Sequence, residues 1–128
     1  MYRDSWYNTL YKYSIYLDEV PCRIMIKLIN KLVRDNIPTI CKENGQTPAI
    51  KILDDNEYTL ALHKKIKEEV EEYLLNYEIE ELADIVEVVE ALAEKQGVSI
   101  EEIMDIKQKK KTKNGALRKK VFLISVED

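Results

Sequence analysis

Between Asp54 and Asn114 the sequence is cut only at Asn76-Tyr77 and at Gly97, and both breaks are very short. Asp54-Asp55-Asn56-Glu57 offers side-chain acceptors for the free N–H groups of a helix start, which predicts a long helix running to about Leu75. A second helix follows from Glu78 to Gln96, closed by Gly97, a residue suited to the left-handed turn that ends helices. Ser99 with Glu102 three residues on makes a capping-box pattern, opening a third helix to about Lys113 that Asn114-Gly115 ends. The tight connection at Asn76-Tyr77 turns the first two helices back on each other as an antiparallel hairpin.

The flanks are less regular. Ile37-Pro38 after Asp35 and Asn36 predicts a helix with Pro in its first turn, stopping near Asn44-Gly45. Residues 49–53 and Val121 to Ile124 are short, apolar and β-leaning, and they are expected to pair as one short strand pair. Residues 1–24 carry Tyr2, Trp6, Tyr7, Tyr11, Tyr13 and Tyr16 with no clean period, and read as an N-terminal extension. The remainder, 25–128, reads as one mainly α domain with no internal repeat and no flexible linker.

Two acidic pairs stand out on the hairpin: Glu69 with Glu72, and Glu81 with Asp84. Spaced i,i+3, the members of each pair are neighbours on a helix surface. Leu62, Ile66, Val70 and Tyr73 mark the expected buried stripe of the first helix. At about 100° per residue Glu69 borders that stripe and Glu72 lies one step further round, while Glu68 and Glu71 fall near Lys64 and Lys67 on the solvated side. On the second helix Leu82, Ile85, Val86, Val89 and Ala93 make the expected core face; Glu81 borders it and Asp84 shares a flank with Val88 and Ala91. Four carboxylates gathered by a hairpin repel one another unless a hard divalent cation, Mg²⁺ with Mn²⁺ as the alternative, lies between them. The plainer reading is that each pair is solvated helix surface, as most such pairs are.

Charge is distributed unevenly. The formal net charge is −4, yet Glu68 to Asp105 holds Lys95 as its sole positive residue, and Lys107 to Lys120 holds basic residues and no acid. An acidic body followed by a basic segment suits a metal-bound polyphosphate ligand. Most lysines of the basic run also read as a solvated helix end favoured by the helix dipole. With Phe122 its only aromatic neighbour, the run argues against a nucleic-acid platform. Cys22 and Cys41 lack metal-ligand spacing, and His63 is the only histidine, which excludes a His-rich metal site. No apolar run approaches the ~20 residues that span a bilayer, and the N-terminus has no signal-peptide pattern, so a cytoplasmic location is expected.

Lys65-Ile66-Lys67-Glu68-Glu69-Val70-Glu71-Glu72, followed by Glu81-Leu82-Ala83-Asp84, resembles the EExxE…ExxD signature of the MazG-like all-α nucleoside triphosphate pyrophosphohydrolases, a superfamily that includes phosphoribosyl-ATP pyrophosphohydrolase. The stretch from Asn30 to Pro38 resembles the opening of a small branch of that group, as do Asn44-Gly45, Ile52-Leu53-Asp54-Asp55 and the late basic turn before Phe122. The resemblance covers roughly residues 26–126. It implies that Glu69, Glu72, Glu81 and Asp84 hold Mg²⁺ and that Lys65, Lys31 and Arg34 contact phosphate, with Lys107, Lys110 and Lys111 as further contacts. It implies cleavage of a nucleoside triphosphate between the α- and β-phosphates, giving the monophosphate and pyrophosphate, in nucleotide-pool house-cleaning. Glu68 or Glu72 would take the proton from the attacking water.

Eight residues separate Glu72 from Glu81, a short hairpin that limits room for a base-specific loop. Ile85-Val86-Glu87-Val88 replaces the aromatic and histidine pattern usual after ExxD in phosphoribosyl-ATP pyrophosphohydrolases, which turns the reading away from histidine biosynthesis. A hairpin this small leaves Leu82, Val86 and Val89 in need of cover, so a homodimer or larger homo-oligomer with a four-helix core is expected. The competing expectation is a non-catalytic helical module that binds a protein or nucleic acid through its acidic body or basic C-terminal segment.

Overall fold

The computed structural model describes Ser14–Tyr16 and residues 25–128. Its described residues are mainly helical. A short antiparallel ladder joins β1 (Ser14–Tyr16) to β2 (Met25–Lys27), with Ile15 opposite Ile26. Four helices follow: α1 (Ile37–Glu43), α2 (Asp55–Asn76), α3 (Ile79–Lys95) and α4 (Ile100–Asn114). Two compact units, Met1–Val88 and Val89–Asp128, divide the chain within α3. Apart from β1, the expected extension of residues 1–24 lies outside the described residues.

Helix boundaries follow local chemistry. Pro38 sits in the first turn of α1, where its missing N–H costs nothing, and the Asn36 carbonyl accepts the Ile40 N–H at 3.0 Å. Asp54 caps α2 reciprocally: the Glu57 N–H donates to Asp54 Oδ1 at 2.8 Å, and the Asp54 N–H donates to Glu57 Oε1 at 3.3 Å. Tyr77, at φ 56°, ends α2 in the left-handed region, a conformation that costs a β-carbon residue free energy. Its ring meets Tyr73 edge-on with centroids 6.2 Å apart, a contact that offsets part of that cost. Gly97, at φ 75°, closes α3 while the Val98 N–H reaches back to the Ala93 carbonyl at 2.9 Å. Ser99 Oγ accepts the Glu102 N–H at 3.2 Å, the N-cap half of the expected box.

Two expectations are corrected. Residues 49–53 and Val121 to Ile124 form no strand; Ile52 is 86% exposed and Phe122 87% exposed. A β-leaning segment becomes a strand only where a neighbour supplies ladder hydrogen bonds and cover, and among the described residues β1 and β2 alone do so. The buried side of the hairpin also departs in part from the expected stripes. Leu62 is buried as expected, but Val70 is exposed and Glu69 lies inside; on α3 Leu82 and Val86 are exposed while Glu81 and Val88 are buried. Ala93 is buried as expected and Ile66, Tyr73, Ile85 and Val89 are half-buried, so the chain covers Glu69 and Glu81 and leaves the apolar stripe open in part, at Val70, Leu82 and Val86.

In the second unit Val89, Leu92, Ala93, Gln96, Val98 and Ile103 line an open, mainly apolar cleft of 180 Å³. No helix among the described residues is long and apolar enough to cross a membrane.

Candidate metal centre

The site is assembled from α2, the first turns of α3 and the segment ahead of α1, all within the first unit. On α2 the three- and four-residue spacings align Lys65, Glu68, Glu69 and Glu72 on one side. The short turn at Tyr77 brings Glu81 and Asp84, one turn apart at the start of α3, back beside them. Glu69, Glu81 and Asp84 each offer a carboxylate oxygen, and the three oxygens lie within 4.8 Å of one another. Oxygens around an octahedral Mg²⁺, held at about 2.1 Å, are roughly 3–4.2 Å apart, so the three oxygens are spaced on the scale of such a shell.

Burial sharpens the electrostatics. Glu81 is 0% and Glu69 5% exposed. Glu69 Oε1 pairs with Lys65 Nζ at 3.0 Å, whereas the buried Glu69 Oε2 has no hydrogen-bond partner. Desolvation raises the Glu69 carboxyl above its ordinary range despite the opposing Lys65 charge. Glu72 is pushed up to about 8, first by burial, then by the Glu69 charge and by its hydrogen bond with Glu81. At neutral pH it thus holds a proton and donates to Glu81. For Lys65, burial pulls the ammonium down, but the charges of Glu68 and Glu69 together outweigh it and its pKa rises.

Cations line the rim. Lys31 Nζ lies 2.9 Å from Glu68 Oε1, and Lys65 Nζ lies 3.4 Å from the same oxygen. Arg34 Nη2 meets Asp84 Oδ1 at 2.8 Å, with Nη1 3.9 Å from Glu87 Oε2. Five clustered carboxylates (Glu68, Glu69, Glu72, Glu81 and Asp84) thus meet three basic side chains, Lys31, Arg34 and Lys65. The negative excess and the orphaned Glu69 oxygen are the donor chemistry a divalent cation fits.

The structure brings together Glu69, Glu81 and Asp84, with Glu72 hydrogen-bonded at the edge, and sets Lys31, Arg34 and Lys65 around them. It corrects the placement of Glu68, which is half-buried between two lysines rather than solvated, because Lys31 reaches it from the segment ahead of α1. Lys107, Lys110 and Lys111 are exposed on α4, and among the described residues none of the cluster's ion pairs involves them. His63 is exposed. Glu87 escaped the sequence reading, although its i,i+3 spacing from Asp84 placed it on the same flank. The cleft at Val89 and Ile103, at 180 Å³, is smaller than the roughly 300 Å³ at which small-molecule sites begin.

An uncharacterised protein of Mycolicibacterium smegmatis is 50% identical over 42 residues, a stretch covering 33% of this chain and 43% of that protein. No family model matches the chain, and no solved structure matches it.

Proposed function

We propose that the chain is a Mg²⁺-dependent nucleotide pyrophosphohydrolase of MazG-like type, hydrolysing a nucleoside triphosphate or related nucleotide between its α- and β-phosphates. The observation that carries this reading is the convergence of Glu69, Glu81 and Asp84 within 4.8 Å, with a buried Glu69 oxygen left without a hydrogen-bond partner. Magnesium held there would neutralise phosphate charge and polarise the phosphorus under attack. Lys31, Arg34 and Lys65, already at the rim, would orient the phosphates and stabilise charge developing on pyrophosphate as it leaves. Glu68, at the cluster's edge, would accept the proton of the attacking water; Glu72 would do so only after losing the proton it holds at neutral pH in the metal-free fold.

Burying like charges costs stability unless a ligand uses them. That cost sets this reading above a non-catalytic module, whose support is the exposed basic face of α4 and the exposed tail through Phe122 and Ile124. Exposed Leu82 and Val86 support a second copy of the chain covering the hairpin in a four-helix core.

The test is a panel of canonical and damaged nucleoside triphosphates incubated with and without Mg²⁺, with monophosphate and pyrophosphate both quantified. Magnesium-dependent release of the two products in equal amounts is expected. Wild-type protein that releases neither product from any nucleotide would sink the assignment.

A further inference from the structure

Arg34 stands apart from the other two cations of the site. Lys65 shares α2 with both of its partners and Lys31 reaches the half-buried Glu68; each lysine side chain is 19% exposed. Arg34 is 49% exposed, lies on a non-helical segment ahead of α1, and holds an oxygen of Asp84 itself. A guanidinium at 2.8 Å from Asp84 Oδ1 neutralises one of the three clustered carboxylates. A divalent cation shared by those carboxylates would sit within a few ångströms of that guanidinium, and the two like charges would repel. Glu87 already lies 3.9 Å from Nη1 of the same side chain and gives it a second acceptor.

We infer that Arg34 is a built-in counter-cation that yields Asp84 when a divalent cation is loaded and turns toward Glu87 and the open rim. Metal loading and the segment around Arg34 are therefore coupled: the guanidinium that stabilises the metal-free cluster becomes free to meet phosphate only after the exchange. Binding of nucleotide before the metal is thereby disfavoured, because Arg34 is still engaged. This inference rests on the metal reading above and adds an order of events to it.

Isothermal titration of the nucleotide-free chain with Mg²⁺ alone tests the exchange. Arg34→Ala should bind Mg²⁺ about two- to fivefold more tightly than wild type, the range expected for removing a competing exposed ion pair. Lys51→Ala, which removes the same charge from an ion pair with Glu57, should leave the affinity unchanged. Hydrogen exchange supplies a readout that a general charge effect would not move. In wild type, backbone amides of residues 31–36 should exchange about two- to fivefold faster on Mg²⁺ loading, whereas in Arg34→Ala they should already be fast and indifferent to metal. Equal or weaker Mg²⁺ binding by Arg34→Ala, or exchange at 31–36 that ignores Mg²⁺ in wild type, would overturn the exchange while leaving the metal centre standing. Wild-type protein that binds no Mg²⁺ would overturn both.

Discussion

The α2–α3 hairpin and the α4 segment are both rich in charge, yet they treat it in opposite ways. On the hairpin, carboxylates are drawn inward: Glu81 and Glu69 are buried, burial first and the Glu69 charge second push the Glu72 carboxyl up to about 8, and three cations crowd the rim. On α4, Lys107, Lys109, Lys110 and Lys111 are all exposed, and the pair between Lys109 and Asp105 at 3.0 Å joins two exposed side chains one turn apart. Solvated charge costs a fold almost nothing and can be lost cheaply, whereas charge placed inside must be compensated or used. α4 thus keeps its charge in solvent, whereas the hairpin buries or pairs much of its own.

The largest effect expected from this contrast is on turnover. Glu69→Ala or Asp84→Ala should lower kcat by about two orders of magnitude or more, since losing a ligand exceeds the 10–100-fold cost of losing a residue that merely supports one. Helicity by circular dichroism should be unchanged. Lys110→Ala combined with Lys111→Ala should leave kcat near wild type. A loss of turnover in the lysine double variant comparable to that of Glu69→Ala would erase the distinction between the two regions.

pH sharpens the same contrast. The Glu72 carboxyl has an ordinary pKa of 4.5 and titrates near 8 in the fold, so between those values the folded chain binds a proton that the unfolded chain has released. Its contribution to stability is therefore fully present below about 4.5 and is lost as pH rises through about 8. The raised carboxyl of Glu69 acts in the same direction. The Tm of metal-free protein should fall across that interval, and Glu72→Gln, which keeps a donor for Glu81 without the titration, should flatten the fall. Equal slopes for the two proteins would show that the proton is held elsewhere.

Self-association divides the regions again. Val86, 55% exposed on α3, belongs to the apolar stripe that a second copy is proposed to cover, while Phe122 belongs to the exposed tail. Val86→Glu should shift the solution mass from dimer to monomer at micromolar concentration, read by light scattering on a sizing column. Phe122→Ser should leave the mass unchanged. Dissociation by the tail variant alone would move the interface to the C-terminal segment.

How legible each region was from sequence follows from how local its determinants are. Asp54, Pro38, Gly97 and Ser99 act within one turn, and the helices they bound fall where the residues predict. The acidic pairs were also legible, because i,i+3 spacing and a short turn are themselves local. Partners brought from far along the chain were not: Lys31 reaches Glu68 across 37 residues and Arg34 reaches Asp84 across 50, and neither separation has a periodic signature. The strand pair failed for the same reason, since 49–53 and Val121 to Ile124 could be matched by composition but not by neighbourhood. Helical periodicity located the apolar stripes but could not show that one chain would leave Leu82 and Val86 open.

The smallest effects are expected on α4, where they test whether its charge contributes to the fold at all. Ser99→Ala removes the acceptor of the Glu102 N–H and should cost about 1 kcal/mol, measured by urea unfolding. Lys109→Ala removes one of the exposed lysines and its pairing with Asp105, and should change stability by less than about 0.5 kcal/mol. The ordering matters more than either value. A neutral cap hydrogen bond exceeding a charged pair 3.0 Å long is what solvent screening dictates for a pair on the wetted face of a helix. If Lys109→Ala were the more damaging change, and the damage shrank in 1 M salt, the basic face of α4 would be held against a negative surface, and its lysines would belong with the structural charges of the hairpin.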